Sequence, residues 1–255
     1  MERNLRIDAI VLSSRKWGEL HRMVTLLSGE LGLCDAVAYG ARKGKLAGAL
    51  ELGTIGTFYL YHNPTKHEYS IKDAEPRHTN DTIRGDLLRL YISQALVEMA
   101  MRMHGGDYEA LYRVLGGFLV LLDQSCVDPR LVFIQYIWKF IVIMGLEPDL
   151  ISCPICGTPY NDKERLSFNT GLHTPCCGDC GDVDSEGFEY ALGPGGRRYL
   201  LYTQGLSESD AVVVPLSVPA TIRMARYMVR YVTNILGRPL SSLSGGILME
   251  ALGAY

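Results

Sequence analysis

Five of the seven cysteines in this 255-residue chain fall between positions 153 and 180. Cys153-Pro154-Ile155-Cys156-Gly157 and Cys177-Gly178-Asp179-Cys180 are two Cys-x2-Cys knuckles with twenty residues between them. Two such pairs supply the four sulfurs that a tetrahedral zinc ion takes at about 2.3 Å. Gly157, Gly178 and Gly181 suit the tight turns that knuckles need. The spacing predicts one structural Zn2+ per chain on Cys153, Cys156, Cys177 and Cys180. Cys176 offers a Cys-x3-Cys arrangement instead, and symmetry with the first knuckle favours Cys177.

Other uses of these thiols fit less well. Disulfides need an oxidising compartment, and the N-terminus MERNLRIDAIVLSS has too short an apolar run for an export signal. A redox Cys-x-x-Cys does not call for two paired knuckles. A catalytic zinc keeps an open coordination position, whereas five thiols and His173 offer a full shell. Cys34 and Cys126 stand alone among apolar neighbours and are expected to be small buried residues.

Basic residues form a second set. Arg15, Lys16 and Arg22 flank Trp17 and His21, and Arg42, Lys43 and Lys45 cluster further on. Lys and Arg in such loops neutralise phosphates, and Trp17 or Tyr39 offers a face for a base. Arg223, Arg226 and Arg230 recur at i, i+3, i+7 with Tyr227 and Tyr231 between them, and Arg197 and Arg198 extend this patch. The competing expectation for both groups is a solvated, charged surface. Gly193-Pro194-Gly195-Gly196 lacks the Lys-Ser/Thr of a phosphate-binding P-loop. With no paired carboxylates or nucleophile triad recognisable, no enzymatic activity is expected.

The elements that must position these residues follow from periodicity. Short β-rich runs at 7–12, 24–27, 33–39, 53–61 and 67–72 predict a small closed barrel of the OB type over residues 1–80. From Asp81 the apolar period becomes helical: Leu87 to Met99, Leu111 to Leu122, and Leu131 to Val142. Asn80 or Asp81 is the expected first N-cap, and the three stripes are expected to bury against one another. Residues 151–190 lose this period and form the zinc module. Residues 191–255 resume it, with Ile222, Ala225, Val229, Val232 and Leu236 on one face before Gly237 and Pro239. The predicted class is α+β: an OB-fold barrel, a helical domain begun at 81–150 and completed at 191–255, and the inserted four-cysteine module.

Charge divides along the same lines. The net charge of −3 is that of 25 basic and 28 acidic residues and argues mildly against a nucleic-acid partner. Residues 1–80 carry 11 basic and 9 acidic side chains, and residues 191–255 carry 6 and 3, whereas residues 151–190 carry 2 and 7. Four thiolates and one divalent ion add a further −2, so this module suits protein docking or scaffolding better than phosphate. No run of about 18 apolar residues exists to span a membrane. With no export signal, a cytoplasmic location is expected.

A basic barrel, helices, a four-cysteine insert and a basic final helix together resemble the bacterial RecO family of DNA repair and recombination proteins. Gly29-x-x-Gly32 followed by Tyr39-Gly40-Ala41-Arg42-Lys43 is similar to that family's barrel signature. Gly145-Leu146-Glu147-Pro148-Asp149-Leu150 running into the first knuckle, Phe168 and Gly171 before the second, and Leu236-Gly237-Arg238-Pro239-Leu240 are similar as well. Two stretches depart from the pattern and remove positive charge: Gly44-Lys45-Leu46-Ala47, and Ser241-Ser242-Leu243. The resemblance implies a recombination mediator at the nucleoid that binds single- and double-stranded DNA and anneals complementary strands. It implies RecR and SSB as partners and, through them, the loading of RecA. The alternative is a zinc-ordered adaptor that mainly binds proteins and meets DNA only through them.

Overall fold

A computed structural model describes residues 3–41, 45–181, 191–243, 250 and 252. They divide into two compact units, residues 1–124 and 125–255. The change of period at residue 80 marks a change of secondary structure, and the next three helices belong with the barrel.

The first unit opens on five strands: β1 (Asn4–Trp17), β2 (His21–Ser28), β3 (Gly32–Ala38), β4 (Ile55–Asn63) and β5 (Glu68–His78). They close into a barrel in the order β1-β2-β3-β5-β4. All pairings are antiparallel except β3 with β5, which runs parallel at Ala36–Tyr69 and Val37–Ser70. Strict alternation fills the interior: Ile7, Ala9 and Val11 from β1 meet Val24, Leu26, Phe58, Leu60 and Ile71. A register shift between Val11 and Ser13 bends β1, which lets it pair with β4 at one end and β2 at the other. A 3-10 turn over Lys45–Leu50 buries Leu50 in the core.

Ile10 and Leu12 sit on the outer face of β1 and are still fully buried. The helices explain this. A single turn, α1 (Asp81–Gly85), leads into α2 (Leu87–Met101) and α3 (Tyr108–Leu122), and α2 and α3 pack together and onto the barrel. A Cβ on Gly116 would lie 3.5 Å from Ile10 Cδ1, an ordinary van der Waals contact, so α3 runs directly over the strand here. Gly32 has φ +66°, and a Cβ there would lie 2.9 Å from the Tyr108 ring. The Gly29-x-x-Gly32 turn is therefore shaped by the start of α3.

One sequence expectation changes here. Asn80 precedes α1 in a left-handed conformation without a side-chain capping bond, and Asp86 caps the long helix by accepting from Arg89 N at 2.9 Å. Asn80 thus stands at the N-cap of the short α1, and the long helix starts separately at Asp86.

The second unit begins with α4 (Pro129–Ile143), capped by Asp128. Within its own unit, α4 packs on the last long helix, α7 (Val218–Leu236). It is buried almost all round. Gln135 Nε2 donates to Thr203 Oγ1 at 3.0 Å. Lys139 Nζ donates to the carbonyls of Gln204 and Leu206 at 3.0 and 3.1 Å. Between α4 and α7 come the two-stranded β6 (Ser167–Asn169) and β7 (Thr174–Cys176), then α5 (Pro194–Thr203) and the turn α6 (Glu208–Ala211). None of the described helices is long and apolar enough to cross a membrane.

Candidate metal centre and nucleic-acid interface

The Sγ atoms of Cys153, Cys156, Cys177 and Cys180 lie within 4.8 Å of one another and can hold a metal ion. Tetrahedral ligation at 2.3 Å puts sulfurs about 3.8 Å apart, and Cys156 Sγ lies 3.7 Å from Cys177 Sγ. Cys176 is buried beside this group and is not one of the four. His173 is not one either: its Nδ1 meets Asn234 Oδ1 on α7.

Local backbone chemistry builds each knuckle. Asp149 Oδ1 accepts from Ile151 N and Ser152 N at 2.7 and 3.0 Å, and Oδ2 accepts from Ser152 Oγ at 2.6 Å. This turn delivers Cys153. Gly157 N then donates to Cys153 O at 2.8 Å and closes the first knuckle. Cys180 N donates to Cys177 O at 3.2 Å and closes the second.

The thiols respond to this crowding in opposite directions. Burial resists ionisation of Cys153, but the amides of Cys177, Cys156 and Ile155 outweigh it and bring the thiol down to about 6. Cys180 moves up, first through its hydrogen bond with Cys177 and then through burial. Cys156 is lowered too, chiefly by its hydrogen bond with Thr158, whereas burial raises Cys177. A divalent cation would favour the thiolate at all four positions.

The module is seated on α7 and α5 by rings. Phe168 lies edge-on to Tyr231 at 5.2 Å and to Tyr227 at 6.4 Å. Arg197 lies over the Tyr160 ring at 5.6 Å and donates from Nη2 to Asn161 O at 2.8 Å. This corrects the expected basic patch on the final helix. Tyr227, Tyr231 and Arg197 are buried and hold the module, so they cannot face a phosphate. Arg223 and Arg198 are exposed, and Arg226 and Arg230 are half-buried. Their i, i+3, i+7 spacing carries no information about what the intervening tyrosines pack on.

The barrel has an exposed aromatic and basic end. Trp17 pairs with His21 across the β1–β2 hairpin. His21 meets the Tyr39 ring edge to face at 5.0 Å and accepts from Gly40 N at 3.0 Å. Trp17 is 50% exposed and Tyr39 59%. Arg15 and Lys16 are exposed beside them. Arg22 is engaged instead: its Nη1 donates to Ser14 Oγ at 3.1 Å and pairs with Glu51 at 3.5 Å. Arg42, Lys43 and the Lys45 side chain lie outside the described residues.

The remaining cysteines differ from expectation in one case. Cys34 packs against the barrel core, and burial, with Asp35 nearby, pushes its thiol up to about 11. Cys126 is exposed, because it sits in the connection from α3 to α4 and not on a helix face.

Comparison with known proteins agrees with this architecture. The chain matches the family described as "Recombination protein O N terminal" over residues 1–80 and "Recombination protein O C terminal" over residues 84–244. It is 26% identical over 185 residues to the DNA repair protein RecO of Alkaliphilus metalliredigens, covering 71% of this chain and 74% of that one. Against the DNA repair protein RecO of Desulfitobacterium hafniense identity is 32% over 178 residues, or 68% of this chain and 63% of that one. Against that of Anaeromyxobacter dehalogenans it is 26% over 244 residues, or 93% and 94%. With both parts matched in order, on a closed five-stranded barrel followed by helices and a four-cysteine cluster, the chain belongs to the RecO family of DNA repair proteins.

Proposed function

We propose that this protein is a DNA-binding recombination mediator with no chemistry of its own. It binds single- and double-stranded DNA, anneals complementary strands and, with RecR, loads RecA onto SSB-coated single strands. The observation that carries the DNA reading is the end of the barrel, where exposed Trp17 and Tyr39 stand beside exposed Arg15 and Lys16. An aromatic face next to free cations suits a single strand, whose bases stack while its phosphates are neutralised. Membership of the RecO family supports the partners. In the second unit, Cys153, Cys156, Cys177 and Cys180 hold a structural Zn2+, which fixes a segment too small to bury a core of its own. Arg15, Lys16, Arg22, Arg42, Lys43 and Lys45 in the barrel, and Arg223, Arg226 and Arg230 on α7, are the residues proposed to meet DNA.

The deciding experiment is a partner-free titration of the purified protein against labelled single strands, followed by annealing with bare and SSB-coated strands. Binding that weakens steeply with salt, together with faster annealing, is the expected result. No binding without a partner protein would leave the adaptor function and overturn this one.

A further inference from the structure

Outward-facing side chains line up across all five strands of the barrel. Alternation settles which ones they are. Val24 and Leu26 on β2, Ala36 and Ala38 on β3, Phe58 and Leu60 on β4, and Ile71 on β5 point into the core. His21, Tyr39, Tyr61 and Lys72 stand at the alternate positions and point out. Trp17 pairs with His21, and the His21 and Tyr39 rings meet. β3 and β5 run parallel through the Val37–Ser70 pair, and Tyr39 and Lys72 each stand two residues beyond it. Lys72 Nζ in turn lies 5.2 Å from the centre of the Tyr61 ring on β4. The row Trp17, His21, Tyr39, Lys72, Tyr61 thus follows the strand order β1-β2-β3-β5-β4.

A β-bulge aims the cation in this row. Tyr59 pairs with Asp73 and Leu60 with Ile71, so Lys72 is the extra residue on β5 and has no partner on β4. A bulge gives up one ladder position and re-aims a side chain. Lys72 is exposed, and it forms no ion pair among the described residues. The Tyr61 ring beneath it holds it in place without neutralising it. The two carboxylates that follow on β5 are engaged elsewhere. Asp73 Oδ1 accepts from Ala74 N at 2.9 Å, and Glu75 Oε1 accepts from the Tyr59 hydroxyl at 3.1 Å.

Neighbouring strands lie about 4.8 Å apart, so the row makes a path of about 19 Å. The barrel is closed, and a path across its strands curves around it. A single strand can bend along such a path, with bases on the rings and phosphates by the cations. A duplex, with a persistence length of about 150 base pairs, cannot bend round so small a body. It meets the Trp17 end and leaves the far side of the row untouched. We propose that Tyr61 and Lys72 form a second grip that only single-stranded nucleic acid reaches, and that this grip makes the barrel prefer single strands to duplex. The proposal rests on the reading of the exposed barrel end as a DNA-binding surface, and it adds which form of DNA that surface selects.

The test uses the full chain, an oligothymidylate of about 20 nucleotides, longer than one such barrel covers, and a duplex of the same length. Fluorescence anisotropy is read at about 0.15 M salt, where charges more than about 8 Å apart are screened. Lys72→Gln and Tyr61→Ala should each weaken single-strand binding about fivefold to tenfold, and the ratio of single-strand to duplex affinity should fall by the same factor. Tyr61→Phe, which keeps the ring under the cation, should restore both. If Tyr61→Ala fails to fold, Lys72→Gln, an exposed change, carries the test alone. Wild-type affinity in the Lys72 and Tyr61 variants, with Trp17→Ala still weakening the single strand, would overturn the second grip and leave the barrel end in place. Equal losses on single strand and duplex would overturn it too, because the far side would then select nothing. If Trp17→Ala, Tyr61→Ala and Lys72→Gln were all without effect, or wild type bound neither probe, the barrel reading would fall together with the proposal.

Discussion

The Phe168 ring on β6 meets the Tyr231 ring on α7 edge to face at 5.2 Å. Tyr231 is 1% exposed, and its hydroxyl donates to Leu146 O at 3.2 Å, just before the first knuckle. One helical side chain thus fixes the module at two points, a strand within it and the chain that enters it. Phe168→Ala removes the ring contact and half-buried apolar area. It should destabilise the second unit by about 2 kcal/mol, below the cost for a fully buried Phe. Denaturant titration with hydrogen exchange on α7 reads this directly. A change under about 0.5 kcal/mol would mean that the metal module is not seated by these rings.

The four-thiol cluster predicts a zinc content of one ion per chain by elemental analysis. Cys153→Ser and Cys177→Ser should lose it, and Cys176→Ser should keep it. A strong zinc chelator should lower the melting temperature of the second unit by roughly 5 °C or more, because metal binding is linked to folding of the module. The barrel, which has its own core, should melt as before. Equal zinc in wild type and Cys153→Ser would defeat the assignment.

How much of this was legible in the sequence depended on whether a signal was local. The knuckles, the strands and the helical stripes are short-range patterns, and Cys-x2-Cys spacing or alternation reports them without knowledge of the fold. What each face packs against is not local. Tyr227 and Tyr231 read as aromatics between arginines, yet they are buried because Phe168 lies some sixty positions away in sequence and against them in space. Arg197 read as a surface cation, and its partner is the Asn161 carbonyl. Gln135 and Lys139 read as breaks in an apolar helix, and the Gln135 amide nitrogen and the Lys139 ammonium find acceptors at the end of α5 and the turn after it.

On the barrel, Asp8 accepts from Thr57 Oγ1 at 2.7 Å and pairs with Arg77 at 3.1 Å. The Thr57 hydroxyl above all, against some opposing desolvation and with help from Arg77, holds the Asp8 carboxyl below the usual carboxylate range. A folded value below the unfolded one means that the contribution is fully present above about pH 4 and is lost as pH falls through the folded value. Asp8→Asn should therefore be less stable than wild type at neutral pH, and the gap should close below about pH 4. Both partners are about half exposed, so the gap should stay under about 1 kcal/mol. Melting curves taken across acid pH provide the check, and a gap that widens in acid would reverse the sign argued here.

At the exposed end of the barrel, charge and stacking predict different signatures and can be separated. Arg15 and Lys16 act through phosphates, so Arg15→Gln with Lys16→Gln should weaken single-strand binding at low salt. It should also flatten the dependence of log affinity on log salt by about 1.4, or about 0.7 per lost contact. Trp17 acts through a base, so Trp17→Ala should cost about 1–3 kcal/mol on single strands with an unchanged salt slope. It should have little effect on duplex, whose bases are already stacked. Glu51→Gln supplies the third arm: it releases Arg22 from its pair at 3.5 Å and should tighten binding and steepen the slope. Fluorescence anisotropy at four salt concentrations measures all three variants. If the double charge variant left the slope unchanged, the phosphates would have to be met elsewhere, and this end of the barrel would lose its assignment.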